Sequence, residues 1–540
     1  MFISSDISLS MDQLYPTIVA VTFVYFITYI FTSILPGTKI QGYVLTPANK
    51  PTIYNLNGLQ VLFGTITLVS AYVRYTSSAS STTVVNYFEP SLWLIFSNNY
   101  ILSALSACCL GLVLSVLFYI RGKSLLKLNL IDRRFRCLTI DNLPKNSSSS
   151  TISSNENINN IVNNDTVTTP SVKSRGRSPN QRMSTGAKQQ QRTGSTQPST
   201  TATTTTMTSS KGSSSKLSTN STVSDDTTEF DSRNIFMHFW CGLSEFNPIT
   251  IGKVDIKMYL YIIGAVQLQI NLLSMVTSHI YQRYQTSIQT NNDINTSGLL
   301  VSSYLVKFLG LDILSNTASC CTSTTTNTIT PTIDFTISYA MAAYAFCLTF
   351  FIIEYLYHEE VHTYTYDIFR ERIGFKLIWG CFCFYPFAYS IGGLPLITNP
   401  WNDITKLEAI NCIVLYFIGW VFTRGANLQK FACKTGRSTF CYGYISMETV
   451  PGSNGRLLSS GFWGLSRHIN YFGEILQAIA LALIPWLATG SYIPWIYPLY
   501  YLALFIPRQI DDDLMCSIKY GHVWTSYVQK VPYRIIPYVY

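Results

Sequence analysis

Apolar residues are concentrated in long runs along most of the chain. The hydrocarbon core of a bilayer is about 30 Å thick and takes roughly 20 apolar residues of helix to cross, so runs of this length predict membrane spans. Two further runs, 474–488 and 492–507, are shorter and flanked by proline, which is typical of tilted, broken or paired helices. The pattern predicts an all-α polytopic membrane helix bundle of about nine to ten spans. The longer candidate spans lie at 14–36, 58–75, 92–120, 258–281, 336–357, 374–397 and 407–423.

The pattern changes abruptly between the third and fourth of these runs. Residues 145–228 are mostly Ser, Thr and Asn with scattered Lys and Arg and almost no large apolar side chains. Such a segment buries too little surface to offset its chain entropy, so we predict a disordered cytosolic insertion with the bounds 141–230. It separates N-terminal spans (1–140) from central spans (231–425) and from a C-terminal cofactor-binding and catalytic region (426–540).

Composition supports the membrane prediction and locates the charge. Only 12% of the 540 residues are charged, against about 25% in a typical soluble protein, and mean hydropathy is +0.21. The net charge is +9, and 18 of the 37 Lys and Arg lie between Arg121 and Lys257. An RNA-binding arm would interleave aromatic with basic residues, which this stretch does not do, so we favour a solvated insertion and expect no nucleic-acid partner.

Basic loops remain on the cytosolic side of a membrane, which orients the predicted bundle. With the insertion in the cytosol, the loop 282–335 is lumenal and its sequon, Asn295-Thr296-Ser297, is on the side where glycosylation occurs. Segments 358–373 and 424–470 are then cytosolic, and both are rich in charge. A cofactor pocket in the C-terminal half is therefore expected to face the cytosol.

A short motif, His358-Glu359-Glu360-Val361-His362, matches the H-E-x-x-H pattern of zinc proteases. Such an enzyme needs a third ligand, and the nearest candidate, Asp312, lies in a predicted loop without the glycine that intramembrane proteases carry beside it. The thirteen Cys are scattered, without pairs at metal-ligand spacing, and are read as buried thiols. We interpret the motif as a charged helix end and expect no metal.

The last 85 residues combine basic, aromatic and acidic side chains between apolar runs. Basic side chains bind phosphates, Trp463 or Tyr471 can stack on a flat ring, and the acidic run at 511–513 can hold ribose hydroxyls or supply protons. An aromatic belt at the membrane interface explains the aromatic and basic residues but not three adjacent acids. The pattern indicates a membrane enzyme that uses an anionic, flat-ringed cofactor. The candidate phosphate ligands are Lys430, Lys434, Arg437 and Arg467.

Several motifs occur along the chain in one order. They are GYVLTPANKP at 42–51 with NGLQ at 57–60, FWCG at 239–242 with EFNP at 245–248, DI at 367–368 with GF at 374–375 and WGC at 379–381, SGFWGLSRHINY at 460–471, and YRIIP at 533–537. Together they resemble the sterol reductase family, which includes delta-14 and delta-7 reductases and the membrane domain of the lamin B receptor. The resemblance covers the chain except about 140–230 and 285–335, and the first motif is closest to the 7-dehydrocholesterol reductase branch.

The resemblance implies an NADPH site. In this sequence Lys430 and Lys434 would meet phosphates, Leu458, Trp463, Asn470 and Tyr471 would line the adenosine and pyrophosphate side, and Asp512, Cys516, Ser517, Ile518, Lys519, Tyr520 and Tyr527 would close over the cofactor. Three positions depart from the family pattern. Lys434 stands where Arg is usual, Arg370-Glu371 replaces a His-Asp pair, and the usual Arg after Pro248 is missing.

The implied reaction is reduction of a ring double bond in sterol biosynthesis in the endoplasmic reticulum membrane, with the delta-7 bond expected and the delta-14 bond as the alternative. An isolated alkene is not polarised, so an acid must protonate one carbon while NADPH delivers hydride to the other. Acids inside a membrane are functional candidates. Glu354, Glu474 and Asp367 are among them, and we expect Asp512 with a Tyr partner, Tyr389 and Glu359 to be the catalytic residues.

Two other functions fit parts of the sequence. A sterol-binding scaffold like the lamin B receptor would be expected to carry a chromatin-reading domain before its spans, whereas about 13 residues precede the first run here. A membrane methyltransferase of the isoprenylcysteine type shares the pattern Arg467-His468, Tyr471 and Glu474, but has fewer spans and lacks the N-terminal motifs. The expected ligands are therefore NADPH, a sterol and membrane lipid, and the sequence leaves the protein partners open.

Overall fold

The described part of the protein is helical apart from short two-stranded hairpins, which confirms the predicted all-α polytopic membrane architecture. The predicted insertion, 141–230, lies wholly outside the described residues. The computed structural model describes residues 11–45, 51–79, 92–127, 235–243, 250–289, 299–308, 335–365, 368, 371–436, 440–441, 445–453 and 457–540.

Seven helices in these described ranges are long and apolar enough to cross a bilayer, and an eighth apolar helix, at 58–73, is shorter. The predicted total of nine to ten spans stays a prediction. The α-helices are, in chain order, α1 Met11–Ile34, α2 Gly58–Ala79, α3 Leu92–Asn98, α4 Tyr100–Lys127, α5 Ile235–Cys241, α6 Ile256–Gln289, α7 Ser303–Phe308, α8 Tyr339–Tyr357, α9 Glu359–His362, α10 Phe375–Trp379, α11 Tyr385–Ala388, α12 Leu394–Thr398, α13 Lys406–Thr435, α14 Phe462–Leu465, α15 Ile469–Thr489, α16 Ile496–Tyr520 and α17 His522–Lys530.

Four antiparallel hairpins connect or flank these helices. Each is too short to form a sheet with a core of its own, so the helices carry the packing. In the first hairpin Thr38 pairs with Leu56, and Asn57 then donates to the carbonyls of Thr32 and Leu35, which caps the end of α1. The paired strands are β1 Thr38–Leu45 with β2 Pro51–Leu56, β3 Thr250–Ile251 with β4 Val254–Asp255, β5 Leu299–Leu300 with β6 Thr336–Ile337, and β7 Phe440–Cys441 with β8 Ile445–Ser446.

Helix α6 forms the centre of the bundle, because nearly all of its apolar stretch is buried, whereas α1, α4, α8, α13 and α15 keep one apolar side exposed. Exposed apolar side chains on long helices are expected where lipid replaces water as the surrounding medium. The predicted run 374–397 is broken into short pieces: α10, a π-helical turn at Gly380–Phe384, α11, a 3₁₀ turn at Ile391–Gly393, and α12. Pro386 and Pro395 lack the amide hydrogen that a continuous helix needs, which accounts for the interruptions.

Helix α13 begins with a capping box in which Thr405 and Glu408 satisfy each other's backbone amides, and it ends at Gly436 in the left-handed conformation, with φ of 66°. Its 30 residues span about 45 Å at 1.5 Å per residue, more than the roughly 30 Å of a hydrocarbon core. The C-terminal turns, which carry Lys430 and Lys434, therefore extend beyond the core of the membrane.

Helices α13 and α15 cross in close contact at Gly419 and Gly473. A Cβ atom on Gly419 would lie 2.7 Å from the Gly473 carbonyl, and one on Gly473 would lie 2.3 Å from the Thr423 hydroxyl. Small residues at a crossing allow two membrane helices to approach this closely. The crossing fixes how the C-terminal half of α13 lies against the start of α15, which is where the candidate site forms.

Candidate functional site

The loop 459–463 is held against the C-terminal turns of α13 by the side chain of Gln429. Its oxygen accepts from the amide of Phe462 at 3.0 Å, and its amide nitrogen donates to the carbonyl of Ser460 at 2.8 Å. Gly425 makes room for the Phe462 ring, because a Cβ atom there would lie 2.3 Å from it. The loop is thereby placed within reach of the side chains on the last turns of α13.

Trp463 and Lys430 form the floor of the candidate site. The indole nitrogen of Trp463 donates to the carbonyl of Ala426 at 2.8 Å, and the ring packs with Leu458 in a small buried cluster. The ammonium of Lys430 lies 4.7 Å from the centre of the same ring, which is a cation–π contact. The predicted phosphate ligand and the predicted stacking residue are therefore neighbours.

Asp512 of α16 completes this part of the site. The hydroxyl of Tyr471 donates to its carboxylate at 3.4 Å, so the predicted Asp512 has a tyrosine next to it. The ring of Tyr471 is stacked on Phe505 with 4.3 Å between centroids. The charge of Asp512 also acts on the Lys430 ammonium. We call Lys430, Trp463, Tyr471 and Asp512 the surface cluster.

Asn470 precedes Tyr471 in the first turn of α15. Its side-chain oxygen is buried and has no hydrogen-bond partner among the described residues. Buried polar atoms are nearly always satisfied, so an orphaned acceptor next to a cationic cluster indicates a position for a ligand's donor group. Arg508 and Lys519 add positive charge around Lys430.

The remaining predicted cofactor residues are distributed around the surface cluster. Cys516 and Tyr520 are half-buried, whereas Ser517, Ile518 and Lys519 are exposed on α16. Tyr527 is buried with Val450, Leu457, Val523 and Val531. Burial raises the pKa of its hydroxyl, so this tyrosine stays neutral at physiological pH. Lys434 is exposed and donates to the carbonyl of Tyr364 at 3.3 Å, and Arg437 lies outside the described residues.

Arg467 is not available to a phosphate in this arrangement. It is 5% exposed, donates to Asp513 at 3.1 Å, and also donates to the carbonyls of Val531 and Pro532. Gln509 donates to the same carboxylate at 2.6 Å. Burial alone would raise the pKa of Asp513, but hydrogen bonds from His468 and Arg467 outweigh it and hold the pKa below its ordinary value. The pair fastens the C-terminal segment to α16, directly beside Asp512.

Tyr389 lies deeper in the bundle, in a group of hydroxyl-bearing rings around Glu474. Its ring is 4.4 Å from that of Tyr497 and 5.7 Å from that of Tyr501, centroid to centroid, and it shares a hydrogen bond with Tyr501. The Tyr501 hydroxyl donates to Glu474 at 3.1 Å. We call Tyr389, Tyr497, Tyr501 and Glu474 the interior cluster.

Glu354 and Arg424 form a second interior pair, between α8 and α13. Both Nε and Nη2 of Arg424 donate to the Glu354 carboxylate. The side chain of Arg424 is 5% exposed and that of Glu354 is 11% exposed, so the pair is nearly removed from solvent. A bidentate Arg–carboxylate contact is among the stronger ways to neutralise two charges in such a place.

Glu359 lies apart from both clusters, at the first turn of α2. Its carboxylate approaches Gly58 so closely that a Cβ atom there would lie 1.9 Å from Oε1. Burial raises the pKa of Glu359 to about 7, although the backbone amide of Gly58 opposes that change. The three predicted catalytic residues, Asp512, Tyr389 and Glu359, therefore occupy three different places.

The H-E-x-x-H motif does not lie on one helix. Helix α8 ends at Tyr357 and α9 begins at Glu359, with His358 between them at φ of −97°. His362 is packed between the rings of Tyr261 and Tyr355, and burial holds its pKa well below the ordinary value. Within the described ranges no group of three or more His, Cys, Asp or Glu residues is placed to hold a metal ion.

Sequence reasoning missed Arg424, Tyr497 and Tyr501. Arg424 ends an apolar run, and a buried charge at such a position signals a partner inside the bundle. Tyr497 and Tyr501 are four residues apart, the spacing that places two side chains on one face of a helix. Their hydroxyls are 3.1 Å apart, with Tyr497 donating. The sequence contains both signals, but neither identifies Glu354 or Glu474 as the partner.

Comparison with known proteins identifies the relatives of the chain. Residues 305–540 match the model of the "Ergosterol biosynthesis ERG4/ERG24 family". The chain is 38% identical over 204 residues to a delta(14)-sterol reductase of Arabidopsis thaliana, which is 38% of this chain and 53% of that protein. It is 33% identical over 192 residues (35% and 42%) to a probable 7-dehydrocholesterol reductase of Acanthamoeba polyphaga mimivirus, and 32% identical over 200 residues (35% and 41%) to the 7-dehydrocholesterol reductase of Xenopus laevis.

The chain thus spans about half the length of the curated relatives it matches, or less. The matched region nevertheless contains the surface cluster, the interior cluster, the Glu354–Arg424 pair and Glu359. Residues 305–540, which hold the whole of the candidate site, are thus similar to the ergosterol biosynthesis ERG4/ERG24 family.

Proposed function

We propose that the protein is a multi-pass enzyme of the endoplasmic reticulum membrane that reduces a ring double bond of a sterol with NADPH. The observation that carries the proposal is the surface cluster, in which Lys430 lies over Trp463 beside Asp512 and Tyr471, inside the part of the chain that matches the family. The relatives are named as sterol reductases, which supports a sterol as the substrate.

The residues of the surface cluster fit an anionic dinucleotide. The positive charges of Lys430, Arg508 and Lys519 converge on one place, which suits a ligand with several phosphates. The orphaned oxygen of Asn470 offers an acceptor to an amide or hydroxyl of such a ligand. Lys430 would bind phosphate, and Trp463 would hold the Lys430 ammonium in place through the cation–π contact. Tyr471 and Asp512, which are hydrogen-bonded to each other, would line the far side of the site.

A bound reduced nicotinamide supplies the hydride that an alkene cannot obtain from a protein side chain. The residues of the chain must then provide the proton and exclude water, because a developing carbocation is trapped by water. The interior cluster lies in the apolar bundle, where water is scarce, and its hydroxyls form a connected set. Asp512, Tyr389 and Glu359 remain our candidates for the group that protonates the sterol.

For the position of the bond we propose delta-7, on the N-terminal motif at 42–51. The delta-14 bond is the second candidate, and one observation favours it: the delta(14)-sterol reductases of Arabidopsis thaliana and Mus musculus are each 38% identical to the matched part, whereas the 7-dehydrocholesterol reductase of Xenopus laevis is 32% identical. The two candidates differ in how far the sterol ring system reaches towards the nicotinamide.

The test is conversion of defined sterols by the purified full-length protein in lipid nanodiscs with NADPH. We expect 7-dehydrocholesterol to lose its delta-7 bond, detected by mass spectrometry, and a delta-8,14 sterol to react much more slowly. The reverse preference would assign the delta-14 reaction. Conversion of neither sterol, under conditions where a known sterol reductase is active, would reject the proposed function.

A further inference from the structure

Glu474 is the acidic member of the interior cluster, and its surroundings are aromatic and hydroxylic. It lies on the second turn of α15, is half-buried, and accepts a hydrogen bond from the hydroxyl of Tyr501 at 3.1 Å. Tyr501 is 4% exposed and shares a second hydrogen bond with Tyr389. Glu474, Tyr501 and Tyr389 therefore form a continuous hydrogen-bonded line inside the bundle.

The cation nearest to Glu474 already has another partner. Arg424 acts on Glu474 electrostatically, but both of its paired nitrogens donate to Glu354. Within the described ranges no ion pair is formed by Glu474 itself, and its hydrogen bond comes from a neutral phenol. A carboxylate in an apolar interior without a cation is costly, so this arrangement favours a carboxyl group that carries its proton.

The three tyrosines of the interior cluster differ in their exposure. Tyr389 is half-buried, whereas Tyr501 and Tyr497 are each 4% exposed and covered by neighbouring rings. Tyr389 also borders Tyr385 and Phe351, which form an aromatic surface suited to a flat apolar ring system. Tyr389 is thus the most exposed of the three tyrosines, which favours it as the one that meets a sterol.

We propose that Glu474 supplies the proton of the reaction through Tyr501 to Tyr389, and that Tyr389 delivers it to the alkene. This inference rests on the proposed reductase function and assigns the proton donor to the interior cluster. Tyr389 is the catalytic residue, and Glu474 and Tyr501 are positioning residues behind it.

The proton balance of the step is complete. The hydroxyl proton of Tyr389 bonds to one alkene carbon as the π bond breaks, and hydride from the bound dinucleotide bonds to the other carbon. Tyr389 recovers a proton from Tyr501, Tyr501 recovers one from the Glu474 carboxyl, and the resulting carboxylate takes a proton from solvent. One proton and one hydride are consumed for each double bond, and the nicotinamide is oxidised.

Charged and titratable groups on the neighbouring helices influence the protonation state of the Glu474 carboxyl. Glu354 and Arg424 act on Glu474 with charges of opposite sign. The groups are Glu354 of α8, Tyr385 and Tyr389 at α11, Tyr416 and Arg424 of α13, and Tyr497 and Tyr501 of α16.

The test compares the purified full-length wild type with Glu474→Gln, Glu474→Asp, Tyr501→Phe and Tyr259→Phe, using NADPH and the sterol that the wild type reduces. Tyr259→Phe is the matched control, because Tyr259 is a buried tyrosine of α6 outside the interior cluster, and its hydroxyl donates to the carbonyl of Tyr25. Glu408→Gln is the charge control, since Glu408 is exposed and Gln preserves its capping role. A second readout is the NADPH-induced rise in melting temperature.

We expect Glu474→Gln and Tyr501→Phe to lower kcat by about 100-fold while KM for NADPH and the NADPH-induced thermal shift stay unchanged. Tyr259→Phe and Glu408→Gln should stay within about threefold of wild type. The wild-type kcat should fall at alkaline pH as Glu474 loses its proton. This fall in kcat at alkaline pH should be absent in Glu474→Gln. In Glu474→Asp part of the rate should be restored, and the fall in kcat should return at a different pH.

The proposal is overturned if Glu474→Gln retains a third or more of the wild-type kcat, or if Tyr259→Phe and Tyr501→Phe are equally impaired. It is also overturned if Glu474→Gln loses the NADPH-induced shift, since the residue would then serve the fold or the cofactor site. An inactive wild type would reject the proposed function and the relay with it, whereas an active wild type with an active Glu474→Gln rejects the relay alone.

Discussion

Arg467 and Asp513, 46 residues apart in the chain, form an ion pair of 3.1 Å that joins the segment before α15 to α16. The Arg467 side chain is 4% exposed, so its removal leaves Asp513 with a desolvated charge. We expect Arg467→Met to lower the free energy of unfolding by roughly 3 kcal/mol, measured by thermal unfolding in detergent. Arg534→Met is the control, because Arg534 is largely exposed and 3.6 Å from the same carboxylate, and should cost less than about 1 kcal/mol.

The same pair predicts a pH dependence. The pKa of Asp513 is below its ordinary value of 3.8 in the folded protein, so its contribution to stability is present at neutral pH and is lost as the pH falls through the lowered value. The difference in melting temperature between wild type and Arg467→Met should therefore be constant from pH 8 to pH 5 and shrink in stronger acid. A difference that grows on acidification would contradict the pairing.

Glu359 should destabilise the fold at alkaline pH. Its pKa is about 7 in the folded protein and near 4.5 in the unfolded chain, so stability is lost as the pH rises from 4.5 through 7. The difference corresponds to roughly 3 kcal/mol above pH 7. We expect Glu359→Gln to melt at a higher temperature than wild type at pH 8 and at the same temperature at pH 4, with Glu448→Gln, an exposed residue, unchanged at both.

Glu359→Gln also tests the predicted catalytic role of this residue. A variant that is stable at pH 8 but inactive would place Glu359 in the chemistry. Retained activity would assign its carboxyl to the contact with Gly58. Initial rates and melting temperatures measured on the same preparation separate the two results.

Lys430 should set the affinity for the dinucleotide. A charge-assisted hydrogen bond is worth about 1.5–3 kcal/mol, so we expect Lys430→Met to weaken NADPH binding by roughly 10- to 100-fold in a fluorescence titration. Lys406→Met removes the same charge from the exposed first residue of the same helix and should leave binding unchanged. Equal affinities for wild type and Lys430→Met would remove this residue from the site.

The crossing of α13 and α15 should not tolerate a methyl group. In Gly473→Ala the new Cβ would lie 2.3 Å from the Thr423 hydroxyl and 2.5 Å from the Gly419 carbonyl, so the helices must separate. We expect a destabilisation of about 1–3 kcal/mol and a loss of NADPH binding, because Asn470 and Tyr471 would move relative to Lys430. Gly380→Ala is the control, since nothing lies within 4 Å of its Cβ position, and a variant as unstable as Gly473→Ala would contradict the steric explanation.

Much of the architecture follows from local sequence. Apolar runs of bilayer length are sufficient to predict membrane helices, because a helix satisfies its own backbone groups without reference to the rest of the chain. The sequence predicts the run 374–397 as a single span, whereas the structure shows it interrupted by a π-helical and a 3₁₀ turn near Pro386 and Pro395. The motif at 460–471 and the basic end of α13 identified the surface cluster for a similar reason: each is a compact group of residues in the sequence.

The partners of the buried charged and polar residues were decided only by the tertiary structure. The sequence offered Arg467 as a phosphate ligand, yet the fold encloses it with Asp513, and it places Glu474 beside Tyr501 and Glu354 beside Arg424. In a membrane both the lipid-facing and the protein-facing sides of a helix are apolar, so periodicity does not show which way a polar residue points. Long-range packing, such as the contact of Gly419 with Gly473, sets those directions and therefore the site.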